Sequence, residues 1–364
     1  MDSKKEQLLA LIRANPFVGQ QELAERLALS RSAVAGHVAG LTREGRLLGR
    51  AYVLPPAAAP IVCIGGSNLD RKLRSLKPLQ MGESNPAEQR ETPGGVARNV
   101  AENLARLGAP VRLLSAVGDD AAGRALLDEL QALGVDVTAS LRLAGQATGS
   151  YTAVLDPKGA MVLALAEMAV TEALTPEFLQ QAAPQRAGAG LTVIDLNLPP
   201  DSVALLVAES RVQQRPLLVV AVSAPKIGRL PRELHGVQCL LLNAGELAAL
   251  VDRPLKREAD FDAAWATLRA RGLAQLVVTR GQAGVLHGGG DAPRLSALPA
   301  PRVAVREVTG AGDAFAAGVA ISLYRDPQDL ALACRRGLAL SALTLQTEAT
   351  VHPDLSPALL EQIT

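Results

Sequence analysis

Six short apolar runs constrain this chain's fold more than any other feature. IVCIGG (61–66), VRLLSAVG (111–118), LTVID (191–195), PLLVVAV (216–222), QCLLLN (238–243) and QLVVTRG (275–281) show little polar alternation. A strand that is apolar on both sides must be covered on both sides, the condition of a parallel sheet between helical layers. The segments between them, such as 96–107 and 121–133, carry helical patterns. Strands alternating with helices predict an α/β domain. SYTAVLDPKGAMVLALAEM (150–168) departs from this pattern. It reads as two strands joined by a turn at Asp156-Pro157-Lys158-Gly159, and so as part of a small antiparallel lid.

The first 54 residues are of another kind. Leu8, Leu11 and Ile12 share one helical face, and Asn15-Pro16 ends that helix. Leu23 and Leu27 mark a second helix. Ser30 is an N-cap candidate for a third, with Val34, Val38 and Leu41 facing inward. Gly45 then breaks the chain, and RLLGRAYVL (46–54) reads as a wing. Three helices and a wing make a winged helix-turn-helix. Its third helix would present Arg31 and Ser32 to a DNA groove, with His37 further along. Eight basic against five acidic side chains give residues 1–54 a net +3, a modest footprint for DNA. Residues 55–60, with three prolines and no periodicity, read as a linker to a second domain at 61–364.

Composition removes several alternatives. Lys+Arg, 37, nearly balance Asp+Glu, 36, which argues against wholesale disorder and a generally basic coat. Aromatic residues are only 2% of the chain, too few for base-stacking platforms. Cys63, Cys239 and Cys334 are scattered and odd in number, so no disulfide framework is expected and a reducing cytoplasm fits. The four histidines are equally dispersed and spell no zinc motif. No apolar run is long enough to span a membrane, and the N-terminus shows no secretory signal pattern.

The sharpest chemical signal is VTGAGDAFAAG (308–318). Gly310 and Gly312 let the backbone turn so that the amides of Ala311, Gly312 and Asp313 converge at the start of a helix of small residues. Free N–H groups and the positive end of the helix dipole attract a phosphate. Asp313 would repel that anion as a ligand, but it suits the role of a base taking the proton of an attacking hydroxyl. Taken alone, the segment would also fit a helix merely capped by Asp313. Gly94-Gly95 lets backbone approach a polar substrate, although it would also suit an ordinary turn. Asn68, Asp70 and Asn99 offer partners for ribose hydroxyls, with a surface ion pair as the alternative for Asp70. Tyr151 could cover a nucleoside ring or simply pack the lid. Asn197 follows LTVID as a polar position.

TGAGDAFAAG and TPGGVARNVAENLARLG (92–108) resemble the two signatures of the ribokinase-like (PfkB) carbohydrate and nucleoside kinases. LLNAGELAAL is similar to the family's N-x-x-E element through Asn243 and Glu246. VVTRGQAGVL resembles its nucleotide-binding strand and turn through Thr279, Gly281 and Gly284. The resemblance covers 61–364. It implies a three-layer α/β/α sandwich with a small antiparallel lid from parts of 67–95 and 148–168. It also implies ATP as co-substrate, Mg2+ organised through water by Glu246, an optional monovalent cation, and a homodimer. Thr309 falls with the nucleotide-binding set. SNP (84–86), LLSAVGDD (113–120), Glu167-Met168 and Val308-Thr309 are similar to the pseudouridine-kinase branch, which implies the 5′-hydroxyl of pseudouridine as acceptor. Another nucleoside or a free sugar is the alternative. A transcription regulator that uses the kinase-like body as a ligand sensor is a third reading. Two departures stand out: Val220-Ala221 where relatives commonly have Asp-Pro, with Lys226 following, and Glu167 where the lid usually has Asp.

Overall fold

The computed structural model describes residues 3–15, 18–48 and 59–363. The chain divides into two compact units, Met1–Pro60 with Gln180–Ala189, and Ile61–Leu179 with Gly190–Thr364. In the first, helices α1 (Lys4–Ala14), α2 (Gln20–Leu27) and α3 (Arg31–Arg43) form as the apolar spacing predicts. Ser3 and Ser30 cap α1 and α3 by accepting the amides of Glu6 and Ala33. Leu8, Leu9, Ile12, Leu23, Val34, Leu41 and Leu47 close a small core of their own. Gly45 ends the helical run with φ 69°, a conformation that suits glycine. Residues 49–54 of the expected wing, 55–58 of the linker and Pro16 lie outside the described residues.

The second unit is built on an eight-stranded sheet. Its strands are β1 (Ile61–Ile64), β4 (Val111–Leu114), β9 (Leu191–Asp195), β10 (Leu217–Val220), β11 (Cys239–Asn243), β12 (Gln275–Thr279), β13 (Val285–Gly289) and β14 (Ser296–Leu298). Their spatial order is β14-β13-β12-β11-β10-β9-β1-β4. The six strands from β4 to β12 are parallel, and β13 and β14 extend the sheet antiparallel. One set of alternate residues, Ile61, Cys63, Val193, Leu218, Leu241 and Val277, joins a core cluster with α4 (Val96–Arg106) and the helices Ala311–Arg325 and Leu330–Thr344. The other set, including Val62, Ile64, Ile194, Val219, Leu240 and Leu276, is as deeply buried. Val203, Leu206, Trp265 and Leu268, from the helices Pro200–Gln213 and Glu258–Ala270, are buried outside that first cluster. This is the three-layer arrangement that doubly apolar strands require.

A second sheet, ordered β3-β2-β7-β8, comprises β2 (Asn68–Ser75), β3 (Ala87–Gly94), β7 (Ser150–Leu155) and β8 (Met161–Glu167). The β7–β8 hairpin turns at 156–160, where the sequence places it. Strand β2 pairs antiparallel with β3 but parallel with β7, so this lid is not wholly antiparallel. A short pair, β5 (Ala116–Gly118) and β6 (Leu141–Leu143), completes the strands. Cys63, Cys239 and Cys334 are buried free thiols. Among the described residues, no helix is long and apolar enough to cross a membrane.

Candidate active site

Parallel sheets gather ligands at the C-terminal ends of their strands, and Asn243, Glu246, Thr279, Gly312 and Asp313 converge there. Gly310 is the N-cap of helix Ala311–Arg325 and has φ 81°. A Cβ at this residue would lie 1.9 Å from the Thr350 carbonyl oxygen, so only glycine permits the loop. The carbonyl of Gly310 accepts from Ala314 at 2.9 Å, and the Ala311 amide leans on Val308 at 3.4 Å. Among the described residues, the amides of Gly312 and Asp313 have no acceptor, a helix end open to an anion. The expected three-amide cradle is therefore mainly a pair, because Ala311 already has a partner.

Asp313 stands on the first turn of that helix and receives a hydrogen bond from Asn99 Nδ2 at 2.8 Å. Burial pushes its carboxyl up to about 7, with the charges of Asp70 and Asp195 adding to the rise; the Asn99 bond and the Arg98 charge work the other way. A carboxylate poised near neutrality in a cleft is suited to proton transfer. It lines a cavity of about 220 Å³ with Asn243, Glu246, Thr279 and Gly312. Val220 and Ala221 line the same cavity, so this wall is apolar.

Asn243 and Glu246 form a capping box at the start of helix Ala244–Leu250. Asn243 Oδ1 accepts the Glu246 amide at 2.9 Å, and Glu246 Oε2 accepts the Asn243 amide at 2.7 Å. Local helix geometry thus accounts for the N-x-x-E spacing and aims a half-spent carboxylate into the cleft. Glu246 Oε1 has no hydrogen-bond partner among the described residues, and burial raises this carboxyl. One open carboxylate oxygen fits Mg2+ that keeps its waters and leans on phosphate oxygens. Among the described residues, no group of three metal-ligating side chains occurs.

A second cavity, of about 290 Å³, adjoins through Thr279, Gly312 and Phe315. Its other lining includes Gly281, Gly284, Pro301, Leu338 and Ala342, a slot suited to a flat apolar ring. Thr279 Oγ1 points to the Leu242 carbonyl at 3.5 Å, and Gly281 and Gly284 adopt φ 57° and 81°. Thr309 is placed apart from both cavities. Its hydroxyl bonds Glu307 at 3.0 Å and receives Lys72 Nζ of the lid at 2.9 Å, and Lys72 also pairs with Glu307. Although burial raises the Glu307 carboxyl, its bonds to Lys72 and Thr309 hold it at about 2.

The lid side of the cleft is equally close-set. Asn68 Nδ2 donates to Asp70 Oδ1 at 2.6 Å. Asn68 faces Gly94 across β2–β3, and a Cβ on Gly94 would lie 2.5 Å from the Asp70 carboxylate. Gly95 has φ 98° and caps α4, and a Cβ there would meet the Gly66 carbonyl at 2.4 Å. Burial raises the Asp70 carboxyl against its Asn68 bond. Tyr151 pairs with Asp70 across β2–β7, and its hydroxyl lies 3.7 Å from Met161 Sδ on the lid's own edge strand.

Asp195 escaped the sequence reading. It ends β9 at 1% exposure and accepts the amides of Gly66 and Ala97 at 2.9 Å and Asn197 at 2.8 Å. One carboxylate thereby ties the β1 turn, the start of α4 and the turn after β9 together. Its signal was a lone acid closing a strand otherwise apolar, at the sheet end where sites form. Asn197 is buried beside Gly66 and accepts from Lys226, away from the two cavities described above. Burial lowers the Lys226 ammonium while Asp195 opposes the drop. On α3, Arg31 and Ser32 are exposed and His37 is half-buried.

A glycine-opened helix end, a carboxyl raised to about 7 and an apolar slot beside it suit the transfer of a phosphoryl group to a small molecule. The match of residues 58–357 to the pfkB family carbohydrate kinase model places the chain in that family, and residues 1–47 match a winged helix-turn-helix DNA-binding model. The chain is 36% identical to pseudouridine kinase of Escherichia coli K12, over 82% of this chain and 94% of that protein. It is 33% identical to the uncharacterized sugar kinase YeiI of the same organism, over 92% of each. A carbohydrate kinase structure from Agrobacterium tumefaciens superposes with TM-score 0.70 at 31% identity, over 84% of this chain and 97% of that one. Ribokinase of Arabidopsis thaliana, complexed with ribose and ATP, shares the fold with TM-score 0.73 at 19% identity, over 84% and 98%. The protein is a sugar or nucleoside kinase of the PfkB family, whose members use ATP with Mg2+, joined to a winged helix-turn-helix domain.

Proposed function

We propose that the protein transfers the γ-phosphoryl group of ATP to the 5′-hydroxyl of pseudouridine. The observation that carries the reading is Asp313, a carboxylate near neutrality beside two open helix-end amides. Asp313 takes the hydroxyl proton as the oxygen bonds the γ-phosphorus, and ADP leaves with the electrons of the broken P–O bond. The amides of Gly312 and Asp313 balance charge on the moving phosphoryl group, so catalysis is largely positioning and electrostatics. The slot beside Gly281, Gly284 and Leu338 suits the adenine ring, with the phosphates directed past Gly312. Mg2+, held through water by Glu246, would neutralise phosphate oxygens. Activity in K+ against Na+ tests for a monovalent cation.

Asn68, Asp70 and Asn99 are the partners for the ribose hydroxyls, and Tyr151 covers the ring of the acceptor. The pseudouridine kinase similarity supports the acceptor. The similarity to guanosine-inosine kinase of Exiguobacterium acetylicum, at 28% identity, makes another nucleoside the alternative. Substrate-dependent ADP release with pseudouridine, uridine, inosine, ribose and fructose decides: a preference for pseudouridine upholds the reading, and a preference for a free sugar overturns the acceptor. The match to a winged helix-turn-helix supports a second role, DNA binding that responds to the nucleoside. Mobility shifts with the DNA upstream of the protein's own reading frame, with and without pseudouridine, test it. A homodimer is expected, with light scattering as its check.

A further inference from the structure

Arg98 is only 2% exposed, and a buried guanidinium must be answered by partners. Nη2 donates to Glu129 at 3.2 Å, and Nη1 donates both to Glu102, one helical turn on, and to Asn99 Oδ1 at 3.2 Å. Glu102 also holds Arg106, through Nε at 2.9 Å. The far end of the same Asn99 amide donates to Asp313. Asn99 is itself 2% exposed, so its amide cannot turn to water for a substitute partner. Only one orientation satisfies both neighbours, with oxygen toward the permanent cation and nitrogen toward the carboxylate. The reverse would set a carbonyl oxygen against Asp313 and an N–H against Arg98.

We propose that Arg98 is a positioning residue for phosphoryl transfer, locking the Asn99 amide so that Nδ2 always faces Asp313. The inference rests on the reading of Asp313 as the base. Glu102 and Glu129 hold Arg98 in turn, so a chain of contacts runs from α4 and the helix Ala121–Ala132 to the reacting carboxylate. The charged groups around Asp313 are Asp70 from β2, Asp195 from β9, Arg98 from α4, and Glu246 across the cavity. Arg98 is the cation that acts on Asp313 in this set, opposing the two aspartates.

The test compares Arg98→Gln, Arg98→Lys and Arg106→Gln. Arg106→Gln removes the other partner of Glu102 and should leave the pH profile in place. Arg98→Gln should move the acid limb of kcat/KM upward by about one pH unit and lower kcat about tenfold or more as the base loses its orientation. Arg98→Lys should bring the limb back without restoring kcat, because a single ammonium cannot span Asn99 and Glu129 as Nη1 and Nη2 do. A folded Arg98→Gln with wild-type limb and kcat overturns the proposal. If that variant does not fold, a wild-type kcat in Arg98→Lys overturns it instead. A wild-type enzyme that phosphorylates nothing in the panel sinks the functional reading, and a direct titration then decides the positioning. In that titration, the aspartate γ-13C resonance missing from Asp313→Asn should stay near its wild-type midpoint in Arg98→Lys and shift to higher pH in a folded Arg98→Gln. An unmoved midpoint in Arg98→Gln, or a shifted one in Arg98→Lys, refutes the coupling.

Discussion

Two alanine substitutions two residues apart should have opposite effects on folding and the same effect on catalysis. At Gly310 a methyl would sit 1.9 Å from the Thr350 oxygen, on a backbone with φ 81°. That is short of a close C···O contact of ~3.3 Å by about 1.4 Å. The left-handed conformation costs roughly 1–2 kcal/mol for a residue with a Cβ, and forced overpacking adds about 1–3 kcal/mol. Gly310→Ala should therefore lose roughly 2–5 kcal/mol of stability. A loop displaced by more than about 1 Å should also lose about 100-fold in kcat. At Gly312 nothing lies within 4 Å of the added methyl, and the residue is already helical. Gly312→Ala should fold as well as wild type or gain about 0.5–1 kcal/mol. Yet its methyl enters the space shared by both cavities and screens an open amide, so turnover should fall roughly 10–100-fold. Thermal unfolding and coupled ADP release read both variants. Wild-type turnover in Gly312→Ala, or wild-type stability and turnover in Gly310→Ala, refutes the assignment of this loop to the phosphoryl path.

Three further outcomes follow from the same geometry. Because Asp313 must be ionised to accept a proton and its carboxyl is raised to about 7, kcat/KM should rise with pH through that value and stand near a tenth of its plateau at about pH 6; a rate flat between about pH 5 and 8 would contradict the role. Asp195→Asn must turn an NH2 toward at least one of the three amides Asp195 now accepts, so it should cost about 2 kcal/mol and roughly 4 °C in Tm, with turnover reduced as the Gly66 and Ala97 segments loosen. An unchanged Tm by calorimetry argues against Asp195 as the tie. In the front unit, Lys5, Arg26 and Arg46 are already paired with Glu44, Glu22 and Glu6. Among the described residues of 3–48, Lys4 is held by the Leu27 carbonyl, and Arg13, Arg31 and Arg43 make no ion pair. DNA affinity should then fall with log salt at a slope of about −3 per copy; a slope several times steeper would place the contacts elsewhere.

The central sheet was legible because strands covered on both faces leave no polar alternation, as in IVCI and LLVV. The candidate phosphoryl loop was legible because Gly310 takes a backbone that favours glycine and Asp313 follows it at the start of the helix. What escaped depends on long-range packing. Strand β2, NLDRKLRS, is charged and shows no strand pattern of its own; the family resemblance placed lid within 67–95, and pairing with β3 and β7 makes this segment a strand. The antiparallel additions hid as well, because β13 (VLHGG) ends in two glycines and β14 (SAL) has only three residues. Arg98 and Glu102 look in sequence like any i, i+4 surface pair; only burial of that face reveals a connection to the site. Asp195 belongs to the same class, a single acid whose three partners come from separate segments.

Asp313→Asn tests the account most directly, since it keeps the shape of the site and the Asn99 contact while removing the proton acceptor. Turnover of ATP and pseudouridine should drop by a factor of about 100–10,000, while ATP affinity measured by calorimetry stays near wild type. Removing a carboxylate whose ionisation is disfavoured on folding should also make the variant relatively more stable above about pH 7 than near pH 4. Undiminished turnover by a well-folded Asp313→Asn, under the conditions where wild type is saturated, would show that some other group receives the hydroxyl proton.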